Sequence, residues 1–321
     1  MNYKEFENTK IYNENVLDLY DDWESPTVII SDGAYGVNGF PTDPNNVSKL
    51  TNWYEEHIKK WSENASPETT LWFWNTEIGW ATIHPLLEKY GWEYRGLNIW
   101  NKGMQHIAGN VNTKTIRKFP QVTEVCVHYI RSPKTILKNN ENKDIQSWMR
   151  SEWDKTGLTL QDANEACNVS SAASRKYLAK DDMWYFPPPD KFKKLIDYAN
   201  KHGKEEEKPY FQINNKIPSK NDIKKLRGKF DCPIGVTNVW DEPPIHNDER
   251  IKSNSGEYIH LNQKPKKIMR RIIKASSETD DVVWEPFGGL CTAGLVAQEE
   301  KRIARCAEIE SEYYQQALKR F

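Results

Sequence analysis

The sequence predicts an α/β fold in which a parallel sheet is covered by helices on both faces. Strand-like runs of β-branched and apolar residues alternate with segments of helical periodicity over residues 1–130, and the alternation returns from residue 235. This alternation is typical of parallel sheets that carry helices on each side. Residues 132–229, in contrast, are rich in Lys and Asn and mostly helical. One sheet domain formed by the two terminal parts, with a helical insertion between them, is the simplest organisation.

The individual strands and helices are assigned from their periodicity. Strands are short runs of β-branched and aromatic residues between turn formers, and helices have apolar residues three or four positions apart. The helix from Ser48 to Asn64, for example, has Leu50, Trp53 and Tyr54 at this spacing. The predicted strands lie at 9–19, 27–35, 70–75, 94–100, 122–130, 236–240, 281–285 and 304–309, and the other predicted helices lie at 80–90, 265–275, from 292 and from 311.

Composition and charge indicate a folded protein with a locally basic part. The chain has 321 residues, 37% of them hydrophobic, and its 13 Trp, 15 Tyr and 10 Phe supply bulky core material. The formal net charge is −1, but residues 131–229 hold 21 Lys and Arg against 14 Asp and Glu. A basic segment within a neutral chain favours a polyanionic partner for that segment.

The cysteines and the N-terminus argue against several classes of protein. The five cysteines are scattered without C-x-x-C spacing, which argues against a disulfide framework or a structural zinc site, so no metal is predicted. The N-terminus has no apolar signal region, and no window approaches the roughly 18 apolar residues of a membrane span. The expectation is a soluble, cytoplasmic protein without a membrane partner.

A glycine-rich turn joins a strand to a helix near the end of the chain. Residues 285–289 follow an apolar strand, and glycines at such a turn let a ligand approach the backbone while the next helix offers free N–H groups. About 20 residues later the next strand ends in Glu308, and an acid at that spacing commonly holds the ribose hydroxyls of a nucleoside cofactor. Glu310 is the alternative for this role.

Three segments together carry a family resemblance. They are Glu285 to Ala293, His260-Leu261-Asn262-Gln263-Lys264-Pro265, and Asp32-Gly33-Ala34-Tyr35. They resemble the Asp-Pro-Phe-x-Gly-Ser-Gly-Thr-Thr, His-Pro-Thr-Gln-Lys-Pro and Asp-Pro-Pro-Tyr segments of the S-adenosylmethionine-dependent DNA amino-methyltransferases. Leu290, Cys291 and Ala293 depart from the first pattern, and Gly33-Ala34 replaces the two prolines of the last.

The resemblance implies a binding site for the cofactor S-adenosylmethionine near the glycine-rich turn. Glu285 takes the place of the acid near the methionine amino group, Phe287 borders the cofactor, and Glu308 binds the ribose. The implied cofactor-binding residues are Glu285, Pro286, Phe287, Gly289, Thr292 and Glu308, with Asn262, Gln263 and Lys264 at the methionine end.

The resemblance also implies a catalytic loop formed by Asp32, Gly33, Ala34 and Tyr35. The substrate would be an exocyclic amine, adenine N6 or cytosine N4, whose lone pair is delocalised into the ring. Asp32 and the Gly33 carbonyl would each accept an N–H bond, which pulls the nitrogen toward tetrahedral geometry, and Tyr35 would stack on the base. Because a base cannot react inside a duplex, it must be flipped out of the stack. Taken alone, Asp-Gly after a strand is also the pattern of a plain turn.

The fold of that family is a Rossmann-like class I methyltransferase, a seven-stranded, mostly parallel sheet with one antiparallel strand. The resemblance therefore implies a catalytic half at 1–130, a helical target-recognition insertion at 131–232 and an S-adenosylmethionine-binding half at 233–321. Double-stranded DNA is the implied partner. A homodimer and a cognate restriction endonuclease are further partners that the sequence leaves open.

The insertion contains a pattern of the helix-turn-helix type. Thr159 and Ser170 are the predicted N-caps of two helices that share an apolar set, with a turn at Cys167-Asn168-Val169. The second helix would enter a major groove of DNA with Ser171, Ser174, Arg175 and Lys176. A helical pair without DNA contacts fits the same pattern.

The function predicted from these segments is site-specific DNA methylation. Adenine N6 is the favoured acceptor, because an Asp begins the catalytic segment whereas cytosine-N4 enzymes more often carry Ser there. Ser31 directly precedes Asp32, so cytosine N4 stays an alternative. A non-catalytic DNA-binding protein that keeps the fold is an alternative of a different class. An RNA methyltransferase is a third, although a helical insertion suits a duplex groove better than single-stranded RNA.

Overall fold

The computed structural model describes residues 2–37, 43–104, 117, 119–131, 134–136, 142–181, 183–213, 215–245, 250–251 and 263–321. The chain divides into two compact units. The first consists of Met1–Arg131 together with Phe230–Phe321, and the second consists of Ser132–Lys229. Asn262, one of the predicted cofactor residues, lies outside the described residues, as does His260.

The strands are short, and the predicted ones agree with the structure to within a few residues except near residues 13–19. Three short strands, at Tyr3–Phe6, Lys134–Ile136 and Asn142–Asp144, were not predicted. In chain order the described strands are β1 (Tyr3–Phe6), β2 (Thr9–Tyr12), β3 (Val28–Ser31), β4 (Thr70–Asn75), β5 (Trp92–Asn101), β6 (Thr123–Arg131), β7 (Lys134–Ile136), β8 (Asn142–Asp144), β9 (Val239–Asp241), β10 (Val282–Glu285) and β11 (Ile303–Ala307).

Nine of these strands form one sheet in the order β1-β2-β11-β10-β3-β4-β6-β5-β9. β1 and β6 run antiparallel to their neighbours, and the other neighbouring pairs are parallel. The block from β2 to β5 in this order holds six parallel strands and the antiparallel β6, which is the predicted seven-stranded arrangement. β1 and β9 extend this block at its two edges, so the sheet is wider than predicted.

The centre of the sheet is the parallel pair β3 and β10. Val28 pairs with Val283, and Ile29 pairs with Trp284. From β3 the chain continues to β4 on one side, and from β10 it continues to β11 on the other. The direction in which strands are added therefore reverses between β3 and β10. In open α/β sheets, ligands bind beyond the carboxyl ends of the strands at such a point.

The described helices belong to both units. No helix within the described ranges is long and apolar enough to cross a membrane. In chain order the α-helices are α1 (Leu50–Asn64), α2 (Glu77–Lys89), α3 (Ile145–Lys155), α4 (Leu160–Cys167), α5 (Pro189–His202), α6 (Lys220–Arg227), α7 (Lys266–Ser276), α8 (Thr292–Glu299) and α9 (Ser311–Leu318).

The sheet has an apolar core on each face. Leu71 and Phe73 of β4 belong to the core that contains the buried residues of α1 and α2. Trp72 and Trp74 belong to the opposite core, which contains the buried apolar residues of α7 and α8. Because successive side chains of a strand point to opposite faces, a strand buried on both faces has a continuous apolar sequence. Trp72 and Trp74 are therefore core residues.

The second unit has its own apolar core, with β7 and β8 as a short antiparallel pair. α4 begins at the predicted N-cap Thr159, which shares a capping box with Asp162. The second predicted helix is a short π-helical segment, Ala173–Tyr177, preceded by Ala172, so the prediction of Ser170 as its N-cap is wrong. The reason lies in α4, because Asn164 Oδ1 accepts the Ser174 N–H at 3.0 Å and replaces a local cap.

Candidate active site

A cavity of about 490 Å³ lies at the carboxyl ends of β3, β10 and β11. Asp32 follows β3, Glu285 ends β10 and Glu308 follows β11, and all three line the cavity. The cavity thus occupies the reversal point between β3 and β10. Predicted site residues from the two ends of the chain meet here. Others of them that line the cavity are Gly33, Tyr35, Gln263, Lys264, Pro286, Phe287, Gly289 and Thr292.

Asp32 is held by a buried lysine. Lys264 Nζ donates to both carboxylate oxygens of Asp32, at 2.8 Å to Oδ1 and 2.9 Å to Oδ2. The Tyr35 hydroxyl donates to Asp32 Oδ1 at 2.9 Å, and Lys264 Nζ lies 3.2 Å from the same hydroxyl. Lys264, which was expected at the methionine end of the cofactor, is therefore hydrogen-bonded to the predicted catalytic carboxylate.

A second carboxylate, Glu124 at the start of β6, completes this charge network. Glu124 Oε2 lies 3.3 Å from both Lys264 Nζ and the Tyr35 hydroxyl oxygen, and its other oxygen accepts from Lys102 Nζ. Burial opposes ionisation of Glu124, but Lys264 and Lys102 outweigh it and lower the pKa of that carboxyl. Burial likewise opposes the charge of Lys264, but Asp32 and Glu124 outweigh it and raise the pKa of the lysine. Two carboxylates and two ammonium groups thus compensate one another below the surface.

Sequence reasoning missed Glu124 and Lys102. The available signal was weak: Glu124 is the single acid in the mostly apolar run from Val122 to Ile130. An acid in a buried strand costs free energy unless it is paired, so its presence predicts a nearby cation. The sequence does not say which cation.

The loop after Asp32 is fixed by contacts with β4 and α1. The Ala34 carbonyl accepts from Asn75 Nδ2 at 2.9 Å and from the Tyr54 hydroxyl at 3.1 Å. Gly33 packs under the ring of Phe287, since a Cβ at Gly33 would lie 2.6 Å from Phe287 Cδ2 and 2.9 Å from the Tyr54 oxygen. The glycine at this position therefore makes room for an aromatic ring from the other end of the chain.

Replacing Gly33 with alanine is expected to lower the free energy of unfolding by about 1–3 kcal/mol, because the added methyl group overpacks this contact. Chemical denaturation measures the effect. Gly96→Ala is the matched control, because a Cβ there meets nothing within 4 Å among the described atoms, and its effect should stay within about 0.5 kcal/mol. Equal stability of the two variants would show that Phe287 does not pack on Gly33 in solution.

Glu285 binds the start of α8. Its Oε1 accepts from the Ala293 N–H at 3.0 Å, and its Oε2 accepts from the Gly294 N–H at 2.7 Å. Burial raises the pKa of Glu285 to about 7, and the two backbone hydrogen bonds only partly oppose this. A carboxylate at a helix N-terminus is favourable because the first N–H groups of a helix lack partners within it.

Glu308 holds the loop between β10 and α8 from the other side. Its Oε2 accepts from the Gly289 N–H at 2.6 Å, and its Oε1 accepts from the Glu310 N–H at 2.8 Å. Burial raises the pKa of Glu308 to about 7. Both Glu308 and Glu310 line the cavity, but only Glu308 is buried.

Aromatic and polar side chains complete the wall beside this loop. The Phe287 ring centroid lies 5.0 Å from that of Trp53 and 4.9 Å from that of His57, both on α1. Burial lowers the pKa of His57 to about 4, so this imidazole is neutral at pH 7. Thr292 Oγ1 accepts from Arg320 Nη1 at 2.9 Å.

The predicted DNA-binding residues lie in the second unit. Ser171, Arg175 and Lys176 are exposed, whereas Ser174 is half-buried. Ser174 Oγ accepts from Asn164 Nδ2 at 3.0 Å, so this side chain joins the π-helical segment to α4. Lys176 Nζ lies 5.6 Å from the ring centroid of Tyr185, which is itself exposed. Two cations and an aromatic ring therefore form a small exposed patch.

Comparisons with known proteins place the chain in one family. A family model of N6/N4 methyltransferases, described as DNA methylase, matches residues 27–319. The chain is 42% identical over 84 residues to DNA adenine methyltransferase YhdJ of Escherichia coli (strain K12), and 38% identical over 82 residues to Type II methyltransferase M.HinfI of Haemophilus influenzae. Each match covers 26% of this chain, and the chain spans about a quarter of the length of these curated relatives, 26% and 23%.

Solved structures share the fold. The crystal structure of an M1.HpyAVI–SAM complex matches with a TM-score of 0.53 and 16% identity, over 97% of this chain and 98% of that chain. The PvuII DNA methyltransferase, described as cytosine-N4-specific, matches with a TM-score of 0.54 and 14% identity, over 98% of this chain and 86% of that chain. At these identities the likeness shows the class I methyltransferase fold and nothing about the acceptor.

Proposed function

We propose that this chain, which belongs to the family of N6/N4 DNA methylases, transfers a methyl group from S-adenosylmethionine to an exocyclic amine of a base in double-stranded DNA, with adenine N6 as the favoured acceptor. The observation that carries the proposal is the position of Asp32. Its carboxylate lies in a cavity at the reversal point of the sheet, beside the loop between β10 and α8.

Asp32 can accept a hydrogen bond from a substrate amine. A carboxylate offers about four lone-pair positions. Oδ1 accepts from Lys264 and Tyr35, whereas Oδ2 accepts from Lys264 alone among the contacts of the described residues. We therefore assign Oδ2 as the atom that accepts the amine N–H, and the Gly33 carbonyl as the second acceptor. These two bonds would localise the nitrogen lone pair for attack on the methyl group.

Lys264 acts in this proposal as a positioning residue. Its bidentate contact fixes the plane of the half-buried Asp32 carboxylate, and its positive charge pairs with that acceptor. Tyr35 is tied to the same network through its hydroxyl, while its ring lies on the cavity wall, where a base could stack. Base–aromatic stacking contributes about 1–3 kcal/mol, which offsets part of the cost of flipping the base.

The residues beside the loop between β10 and α8 fit S-adenosylmethionine. The cavity of about 490 Å³ falls within the range of small-molecule sites, roughly 300–1,000 Å³. Glu308 supplies a carboxylate at the end of β11, where ribose hydroxyls bind in related sheets, and Phe287 supplies an aromatic surface. Glu285, Gly289, Thr292, Gln263 and Pro286 complete the proposed cofactor contacts. When bound, the cofactor supplies an electrophilic methyl group.

The preference for adenine rests on which side chain reaches the cavity. Asp32 lines it, whereas Ser31, the residue that would suit a cytosine-N4 enzyme, is fully buried in β3. The similarity to a DNA adenine methyltransferase supports the same choice. Cytosine N4 is the second candidate, because a cytosine-N4-specific enzyme shares the fold.

The experiment that tests this proposal is mass spectrometry of nucleosides from duplex DNA of mixed sequence, incubated with the protein and S-adenosylmethionine. N6-methyladenine is the expected product. N4-methylcytosine would support the methyltransferase activity but contradict the assignment of adenine N6 as the acceptor. If neither forms while DNA and cofactor both bind, the chain is a non-catalytic DNA-binding protein. A parallel incubation with single-stranded RNA should give no methylated nucleoside.

Removing Arg175 and Lys176, two exposed cations of the second unit, is expected to weaken DNA binding. The double variant Arg175→Ala/Lys176→Ala loses up to two phosphate contacts, which should lower the slope of log K against log salt by about 1–2. Binding to a labelled duplex, measured at several salt concentrations, reports this slope. Lys201→Ala removes an exposed lysine at the end of α5 and serves as the control. If both variants show the same slope, the π-helical segment does not contact the DNA phosphates.

A further inference from the structure

Two thiols and a carboxylate converge behind the loop between β10 and α8. The ligand atoms of Glu285, Cys291 and Cys306 lie within 4.8 Å of one another, and all three residues are buried. Cys306 Sγ donates to Glu285 Oε2 at 3.6 Å. Cysteine spacing in the sequence gave no sign of this cluster, because the two cysteines come from different elements that the fold brings together.

Cys291 has an unusual backbone conformation. Its φ of 49° and ψ of 48° are left-handed, a region that favours Gly and costs other residues about 1–2 kcal/mol. The conformation places the thiol against Cys306 and directly behind Gly288, where a Cβ would lie 2.7 Å from Cys291 Sγ. Strained residues of this kind cluster at ligand-binding sites.

We propose that Glu285, Cys291 and Cys306 form a binding site for a thiophilic divalent cation of the zinc and cadmium type. Zinc binds thiolates at about 2.3 Å and carboxylates at about 2.0–2.2 Å, so ligand atoms that already lie this close need to move by only about 1 Å. Two sulfur ligands select such an ion over magnesium or calcium. Three protein ligands leave one tetrahedral position for water.

The pKa values of both thiols are raised, that of Cys306 by its contact with Cys291 and by burial, and the surroundings only partly offset this. Metal binding releases thiol protons and leaves thiolates. Cys291 precedes α8, whose N-terminus favours negative charge. Arg320 adds a positive charge that acts on both Glu285 and Cys291, and its guanidinium is anchored on Thr292 Oγ1. The divalent ion and Arg320 together would balance the negative charges of the two thiolates and the carboxylate.

The cavity gives the ion a route to the cluster. Glu285 and Gly288 line the cavity, and Cys291 Sγ lies immediately behind Gly288. Ligation of the ion turns the Glu285 carboxylate away from the Ala293 and Gly294 N–H groups and so releases the start of α8. This last step rests on the proposed function, since it makes the ion a competitor of cofactor binding.

The test is a titration of the full, cofactor-free chain with Cd²⁺, followed by the ultraviolet charge-transfer absorption of cadmium thiolates. The wild type is expected to bind one ion per chain. Cys291→Gly should bind the ion at least about 10–100-fold more weakly. Loss of a residue that only supports a metal ligand already costs this much, and Cys291 is proposed as a direct ligand. Glycine suits this φ, so the variant keeps its fold, which thermal unfolding checks. Cys232→Ser, which removes an exposed thiol, is the control and should match the wild type.

Two outcomes overturn the site: an absence of thiolate absorption in the wild type, or unchanged affinity in Cys291→Gly. The coupling is tested separately by calorimetry of S-adenosylhomocysteine with and without Cd²⁺. The ion should weaken binding in the wild type and not in Cys291→Gly, and equal affinities in the wild type would overturn the coupling. Failure of S-adenosylhomocysteine to bind the metal-free chain would contradict the proposed function, whereas the thiolate absorption would still support the ion site.

Discussion

Replacing Asp32 with alanine is expected to reduce methyl transfer by about 10²–10⁴-fold, the range typical of a group that hydrogen-bonds the reacting atom, while the protein still binds S-adenosylmethionine. The reason is geometric: the proposed amine acceptor Oδ2 is lost, whereas Glu308 and Phe287 on the cofactor side do not contact Asp32 through any hydrogen bond of the described residues. Single-turnover transfer to a duplex measures the rate, and calorimetry with S-adenosylmethionine measures binding.

Asp32→Asn separates charge from shape, because the amide keeps one acceptor oxygen but no longer neutralises Lys264. It should lose activity as well, with less change in stability than Asp32→Ala. Asp21→Asn is the control, since Asp21 is an exposed acid that forms a salt bridge with Lys60. Transfer by Asp32→Ala at a rate near that of the control would refute the proposed mechanism.

Replacing Lys264 with methionine is expected to lower the free energy of unfolding at neutral pH by about 3–5 kcal/mol, because it leaves two carboxylates without their shared cation in a buried site. Lys264 is 1% exposed as a side chain, and its partner Glu124 is 9% exposed. The pKa of Glu124 is lowered in the folded protein, so its stabilising contribution is present above its ordinary value of 4.5 and is lost as the pH falls. The variant should therefore differ least from the wild type in acid.

Denaturant unfolding at pH 7 and at a pH well below 4.5 measures this difference. Lys89→Met is the matched control, because Lys89 forms an ion pair with Glu55 at 2.8 Å in which the two side chains are 61% and 43% exposed. A surface pair of this kind contributes about 0–1 kcal/mol. If the two lysine variants lose the same stability, the Asp32–Lys264–Glu124 network does not have the role assigned to it.

Much of the sheet could be predicted because its strands are continuous apolar runs. β4, for example, was predicted at the residues that form it, since Thr70 to Asn75 are buried on both faces. The antiparallel direction of β6 was not visible, because side-chain periodicity carries no information on strand direction. The strand predicted at 9–19 ends at Tyr12, because Asn15 caps a short 3₁₀ turn at Val16–Asp18 and breaks the extended run.

The candidate site was predictable where a residue follows a strand. Asp32, Glu285 and Glu308 each end or follow a parallel strand. Because the carboxyl ends of parallel strands lie at the same edge of a sheet, the three residues could be expected to lie near one another. The pairing of Lys264 with Asp32 was not predictable, since it joins residues 232 positions apart and no local pattern reports it. The contact of Gly33 with Phe287 is of the same kind, because the sequence shows a glycine but not the ring that fills the space above it.

The central pairing of β3 with β10 has a consequence for synthesis on the ribosome. Val28 and Val283 lie 255 positions apart, so at about 5–20 residues per second one edge of β3 waits about 10–50 s for its partner to emerge. The strands β4, β6 and β5 can join β3 on its other side during this time. The nascent chain therefore presents an open apolar strand edge for most of its translation.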